Sequence, residues 1–207
     1  MCNFKSGIIQ KDRVFVPGYD DHSKMLVEIG INDNCLHDPK FVKFELRPKN
    51  NDPFSDINTW DMFFDQDYFP DWFVSEVDEQ RAREAVKVWA KDHIFIGVND
   101  LKIDAGNSEI YYLKDCLNAT VRAWDNATVR VWGNATVRAW DNATVEAWGN
   151  ATVEASDNAT VMIPEWSSNK RENIVLLSNS TLKDCKTKTI YQSGDWSLVL
   201  VSQEDKP

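Results

Sequence analysis

The chain has 207 residues, 43% of them hydrophobic and 12% aromatic, with a formal net charge of −10 at pH 7. That composition supplies a buried core and excludes a disordered chain, while the acidity excludes a general nucleic-acid binder, which needs a basic surface. No apolar run approaches the roughly 18 residues of a membrane span, and Met1-Cys2-Asn3-Phe4-Lys5 is not followed by the apolar stretch of a secretory signal, so the expected location is a cytoplasm.

Residues 1–99 read as a small α+β domain. Ser6–Pro17 predicts two short strands or a hairpin. Asp21–Gly30 predicts a short helix with Met25, Leu26 and Ile29 on one side and Gly30 at its end. Phe41–Leu46 alternates as a strand that Pro48 ends. Ser75–Lys91 is the clearest helix, with Ala82, Ala85, Val86 and Trp89 lining one face and Ser75 with Asp78 resembling a capping box. Ile94–Val98 is a strand leading into the repeat region.

After the end of the Phe41–Leu46 strand, up to and including the start of the long helix, lies an acidic, aromatic stretch. Residues 50–80 hold nine acids and no Lys or Arg, among them Asp61, Asp65 and Asp67, interleaved with Trp60, Trp72 and other aromatics. Aromatics anchor interfaces and acids steer basic partners toward them; a solvated acidic loop is the plainer alternative. Asp65-Gln66-Asp67 lacks a spaced third ligand, so no metal is expected there.

An octapeptide then dominates. NATV begins at Asn118, Asn126, Asn134, Asn142, Asn150 and Asn158, within a consensus N-A-T-V-x-A-W-[DG]. Ala, Val and Ala at even positions and Thr, x and Trp at odd ones give a period of two, hence a strand. The Asp-Asn or Gly-Asn that joins one octad to the next is turn chemistry tolerant of positive φ. Because the corner alternates Asp125, Gly133, Asp141, Gly149, Asp157, the true period is sixteen. Stacked coils of two octads make a two-sided β-solenoid over 100–165.

Ala and Val suit the inside of a thin coil. Outside, a sixteen-residue coil places Trp124 under Trp140 and Trp132 under Trp148, aligns Thr120, Thr136 and Thr152, and pairs Arg130 with Glu146 and Arg138 with Glu154. The Thr ladders suggest ice binding, but ice binders need a flat, uncharged face and these faces carry Trp, Arg and Glu. The column Asp125, Asp141, Asp157 invites a cation; the plainer reading is a good corner. The stack serves as a rigid platform, spacer or homo-oligomerisation element, with its Trp ladders as candidate binding surface.

LKDC occurs at Leu113–Cys116 and again at Leu182–Cys185, and both copies align with V-x-A-W of the octad. Residues 100–117 are expected to open the stack as a cap. Residues 166–207, with strands at Thr189–Gln192 and Trp196–Val201 and an insertion around Pro164–Arg171, are expected to close it as a C-terminal β cap.

Cys2, Cys35, Cys116 and Cys185 form no metal-ligand spacing and are expected to be reduced thiols; the Asn-Ala-Thr glycosylation pattern is then incidental. Removal of Met1 would expose Cys2, a nucleophile with its own amine as base. His22, beside Asp20 and Asp21, is the candidate partner of an amidohydrolase-like enzyme. Glutaminase-type amidotransferases begin Met-Cys-Gly, whereas Asn3 stands third here and the Gly-rich context is missing.

The start MCNFKSGI, the segment Asp21-His22-Ser23, the strand Phe41–Glu45 (FV-x-x-E), Pro70-Asp71-Trp72 and the octapeptides together resemble a group of bacteriophage and mobile-element proteins. The resemblance spans most of the chain. The group carries no established activity, so no functional residue is carried over from it. It implies a phage-encoded protein acting in the host cytoplasm by interfering with host machinery. The expected function is non-enzymatic binding of a basic or nucleic-acid-binding host protein, without direct nucleic-acid binding, membrane association or a cofactor.

Overall fold

The computed structural model describes residues 4–31 and 40–193. The chain divides into two compact units, 1–93 and 94–207.

The first unit is a small α+β domain. Strands β1 (Lys5–Gln10), β2 (Val14–Phe15), β3 (Phe41–Arg47) and β4 (Asp61–Phe64) form an antiparallel sheet ordered β2-β1-β3-β4. Helices α1 (His22–Glu28) and α2 (Ser75–His93) both pack on β1. Asp21 caps α1 by accepting from the Lys24 amide at 3.0 Å. The core gathers Ile8, Met25, Leu26, Phe41, Phe44, Leu46, Ala82, Val86 and Trp89.

Two details of this unit depart from the sequence reading. Strand β4 lies inside the acidic, aromatic stretch, where the sequence reading placed no strand. The expected capping box forms only in its acidic half: Ser75 is already helical, and the buried Asp78 carboxylate accepts from the Val74 amide at 2.8 Å and pairs with Arg81.

Lys5 is fully buried, which is costly unless every donor is met. Its ammonium donates to Pro17 O at 2.8 Å, Tyr19 O at 3.0 Å and Asp20 Oδ1 at 2.8 Å. The same Asp20 oxygen accepts from the Ser6 amide, so one carboxylate ties the start of the chain to the β2–α1 loop.

In the second unit, residues 94–184 form a β-solenoid of about five turns. One face is a parallel sheet ordered β14-β12-β10-β8-β6. Its strands are β6 (Lys102–Ala105), β8 (Thr120–Ala123), β10 (Thr136–Ala139), β12 (Thr152–Ala155) and β14 (Ile174–Leu176). The other face is ordered β16-β15-β13-β11-β9-β7-β5. It contains β5 (Ile94–Ile96), β7 (Ile110–Lys114), β9 (Thr128–Gly133), β11 (Thr144–Gly149), β13 (Thr160–Ile163), β15 (Thr181–Asp184) and β16 (Thr189–Gln192). Every pairing in both sheets is parallel except β15 with β16.

Within the octads the register is sixteen residues, as Thr136↔Thr152 and Val129↔Val145 show. It is eighteen before them, with Ile94↔Tyr112 and Lys102↔Thr120, and twenty-one after them, with Val153↔Ile174 and Val161↔Leu182. The interior is a column of Ala and Val at the even octad positions, from Val121 to Val161, each essentially inaccessible to solvent. Small side chains there let the two sheets approach closely while the parallel ladders satisfy the backbone.

The two corners differ. At the Asp corner, Asp125, Asp141 and Asp157 take φ between 53° and 56°. A hydrogen-bonded turn is made there, with the Ala127 amide donating to Trp124 O and Ala143 to Trp140 O. At the Gly corner the ladder runs on through Gly133↔Gly149, which take φ of 122° and 71°. A Cβ at Gly149 would lie 2.8 Å from the Gly133 nitrogen, so successive corners stack backbone on backbone and only glycine fits.

Three expectations for the ends are corrected. Residues 100–117 are not a cap: β6 and β7 are ordinary strands of the stack, which already begins at Ile94. Residues 174–184 also continue the coil, because β14 and β15 bury Leu182 and half-bury Ile174 and Leu176 in line with the octad positions. The first LKDC copy is displaced two places: Leu113 lies beside Val131, the sixth octad residue, whereas Leu182 lies beside Val161, the fourth, as expected. The insertion does interrupt the octads. It replaces a Gly corner, where buried Ser167 and Asn169 donate to Ala147 O and Ala151 O, each at 2.9 Å. Trp196–Val201 lies outside the described residues.

Candidate functional site

The acidic, aromatic segment folds as β4 and the chain leading from it to α2. Its backbone is pinned to β3: the Asp65 amide donates to Lys43 O at 3.0 Å, and the Gln66 carboxamide accepts from the Lys43 amide and donates to Phe41 O. The segment is therefore a braced surface rather than a loose loop.

Of its nine acids, Asp78 is buried and Glu79 half-buried against Arg83; the other seven are exposed. Two of those have local work. Asp52 accepts from the Phe54 amide and Asp56 from the Asn58 amide, each closing a turn. Asp61, Asp67, Asp71 and Glu76 face solvent, and Asp65 does so beside His22.

The aromatics sort differently from the sequence expectation. Trp60 does not reach the surface: it is 1% exposed, its indole N–H donates to Ser55 O and Oγ, and Phe4 meets it edge-on at 5.0 Å. Trp72 is half-buried next to Phe73. The exposed rings are Phe63, Tyr68 and Phe69. Phe69 stacks on Phe73 at 4.8 Å, and Phe64 meets both edge-on. The rings Phe64, Phe69 and Phe73 are thus held against one another, on the side of β4 opposite Asp61 and Phe63. The alternation of β4, exposed at Asp61, Phe63 and Asp65 and half-buried at Met62 and Phe64, was the available clue.

On the solenoid the four tryptophans form the expected ladders. Trp124 and Trp140 stack at 5.8 Å, and Trp132 and Trp148 at 4.1 Å with planes 6° apart. All four are half-buried. Arg130 meets Glu146 at 3.0 Å and Arg138 meets Glu154 at 3.4 Å. Burial works against the charge of Arg130, but the Tyr112 hydroxyl and the Glu146 carboxylate outweigh it and hold its pKa above the ordinary value. In the Asp column, Asp125 Oδ2 accepts from the Asn107 amide and Asp141 Oδ2 from the Asp125 amide, both at 3.3 Å. Those bonds give the Asp125 and Asp141 carboxylates a corner role. The sequence reading missed Trp166, which is 89% exposed on the insertion loop.

His22 is buried at the start of α1, with Nε2 3.1 Å from Phe44 O and Nδ1 3.4 Å from Asp65 Oδ2. The half-buried Glu45 joins them, and the three side chains bring ligand atoms within 4.8 Å of one another. Cys2, the other half of the enzymatic alternative, lies outside the described residues. Cys116 is buried and Cys185 half-buried, both as free thiols. Among the described residues no helix is long and apolar enough to cross a membrane. No protein-family model, curated protein or solved structure matches the chain.

Proposed function

We propose that this chain is a non-enzymatic binding protein of the phage interference type, which occupies the basic surface of a host protein through the exposed side chains of segment 61–71, among them Asp61, Asp67, Asp71, Phe63, Tyr68 and Phe69. The observation that supports this reading is the pairing of exposed carboxylates with exposed rings on one braced segment. Rings already held in place lose little freedom on docking, and the surrounding acids raise the encounter rate with a positive partner. A host protein that binds nucleic acid presents such a positive surface, and an acidic face competes for it without a catalytic group. In this reading the solenoid is a rigid platform, with Trp ladders and ion-pair rows keeping its faces flat.

The test is affinity capture from the native host followed by association kinetics on the captured protein. Reversing Asp61, Asp67 and Asp71 to Lys, with Asp65 left beside His22, is expected to slow association about tenfold or more at low salt, and added salt should narrow the difference. Cys2→Ser should leave the biological activity intact. The reading fails if the reversal leaves association unchanged while Cys2→Ser abolishes the activity.

A further inference from the structure

We infer that His22, Glu45 and Asp65 form a binding site for one divalent transition cation, on the same unit as the acidic face but independent of its partner.

The first argument is the histidine's tautomer. Nε2 of His22 lies 3.1 Å from the carbonyl oxygen of Phe44, and a carbonyl only accepts. Nε2 therefore carries a proton, and Nδ1 faces the Asp65 carboxylate. A metal-ligating histidine is held in this way, with its other nitrogen donating to a backbone carbonyl that fixes the ring and raises its basicity.

Distance is the second argument. Nδ1 and Asp65 Oδ2 are 3.4 Å apart. A charge-assisted N–H···O bond closes to about 2.7–2.9 Å. Two ligand atoms each about 2.0–2.2 Å from one tetrahedral cation are instead separated by about 3.4 Å. The three ligand atoms already lie within 4.8 Å of one another, so small rotamer shifts bring Glu45 to the same spacing.

The third argument is support. The ligands come from the first residue of α1, the middle of β3 and the residue after β4. Each position is fixed independently: the Asp21 cap sets the start of α1, the β1 and β4 ladders flank Glu45, and the Asp65 amide is bonded to Lys43 O. The Glu45 and Asp65 carboxylates, with ligand atoms within 4.8 Å of each other, repel, and a positive charge between them relieves that. A cation meets that need while leaving Nδ1 a ligand.

One imidazole and two carboxylates suit the borderline Zn²⁺, or the harder Mn²⁺, which also accepts imidazole, better than Ca²⁺ or Mg²⁺, which favour oxygen ligands. The Asp65 side chain is 63% exposed, so the cation keeps positions open toward solvent. Three protein ligands with open positions can bind water or an incoming carboxylate or phosphate oxygen.

The test uses the full chain stripped of metal, with Mn²⁺ as the probe because it prefers nitrogen and oxygen ligands to the chain's thiols, and Zn²⁺ as the second ion. Titration calorimetry and Mn²⁺ paramagnetic resonance should give one site per chain, and the ion should raise the melting temperature. Glu45→Gln and Asp65→Asn should each weaken that site at least tenfold, whereas Asp67→Asn, with the same charge change two residues away, should not. Asp65 is exposed, so its variant keeps the fold even if a change at Glu45 disturbs it. Bound Mn²⁺ should broaden the His22 ring signals first. The inference is overturned if neither ion binds below millimolar concentration, or if Asp65→Asn binds as the wild type does, which would place the ion at the Asp125 column or at the thiols.

Discussion

Gly149 and Tyr19 show how single residues constrain the two units. At Gly149 the corner needs φ of 71° and leaves no room for a Cβ against the Gly133 backbone. Gly149→Ala should therefore cost about 2–4 kcal/mol, combining left-handed strain with a backbone clash, read as a lowered midpoint in urea. In the N-terminal unit, burial first and then the hydrogen bond to Glu28 raise the Tyr19 pKa well above its usual 10.0. Because the folded value lies above the unfolded one, this contribution to stability is complete below pH 10.0 and fades as pH rises toward the folded value. Denaturation measured between pH 9 and about 11.5 should show that decline in the wild type and a shallower one in Tyr19→Phe.

At the scale of the element, the unit of the solenoid is the coil of two octads, because its two corners are different objects. The Asp corner is a closed turn and the Gly corner a bend in a continuous ladder. Deleting Asn134–Gly149 removes one of each and lets β12 follow β9 on its proper face, so the protein should fold one coil shorter. Deleting Asn134–Asp141 alone removes β10 and brings β11, with its Gly corner, onto the face of β6 and β8. It also breaks the match of Trp148 to Trp132. The eight-residue deletion should melt well below the sixteen-residue one in a calorimeter; equal melting would show that coils tolerate either corner. The flanking coils of eighteen and twenty-one residues show where length can vary: extra residues enter at corners, and the ladders on either side keep their register.

For the whole molecule the net charge of −10 is unevenly distributed. On the solenoid, Arg130–Glu146 and Arg138–Glu154 neutralise each other across coils. On β4 and the segment after it, Asp61, Asp67 and Asp71 are exposed, with Arg47 standing opposite Asp61 in the β3–β4 ladder. Reversing them to Lys should change the melting temperature by less than about 2 °C, since exposed charges contribute little to folding. Its main effect should fall on association, measured by stopped flow at low and high salt. A large loss of stability would mean that these acids brace the segment instead of steering a partner.

The octad by itself determined almost everything about the middle of the chain: strand, corner type, sixteen-residue register, Trp ladders and Arg–Glu pairs. It could do so because a repeat stacks on copies of itself, so each residue's neighbour is its own equivalent one coil away. The N-terminal elements were legible for a related reason, since β1, α1, β3 and α2 each carry a local period or a cap. What periodicity cannot reach is contact between unlike segments. Leu113 slipped two places because the coil before the octads has no repeated neighbour to define it. Trp60, read as a surface anchor, is core because Phe4 and Ser55 enclose it. His22, Glu45 and Asp65 lie on three elements, and nothing in their spacing along the chain brings them together. Only the antiparallel pairing of β3 with β4, and the packing of α1 on the sheet, places two carboxylates beside one imidazole nitrogen.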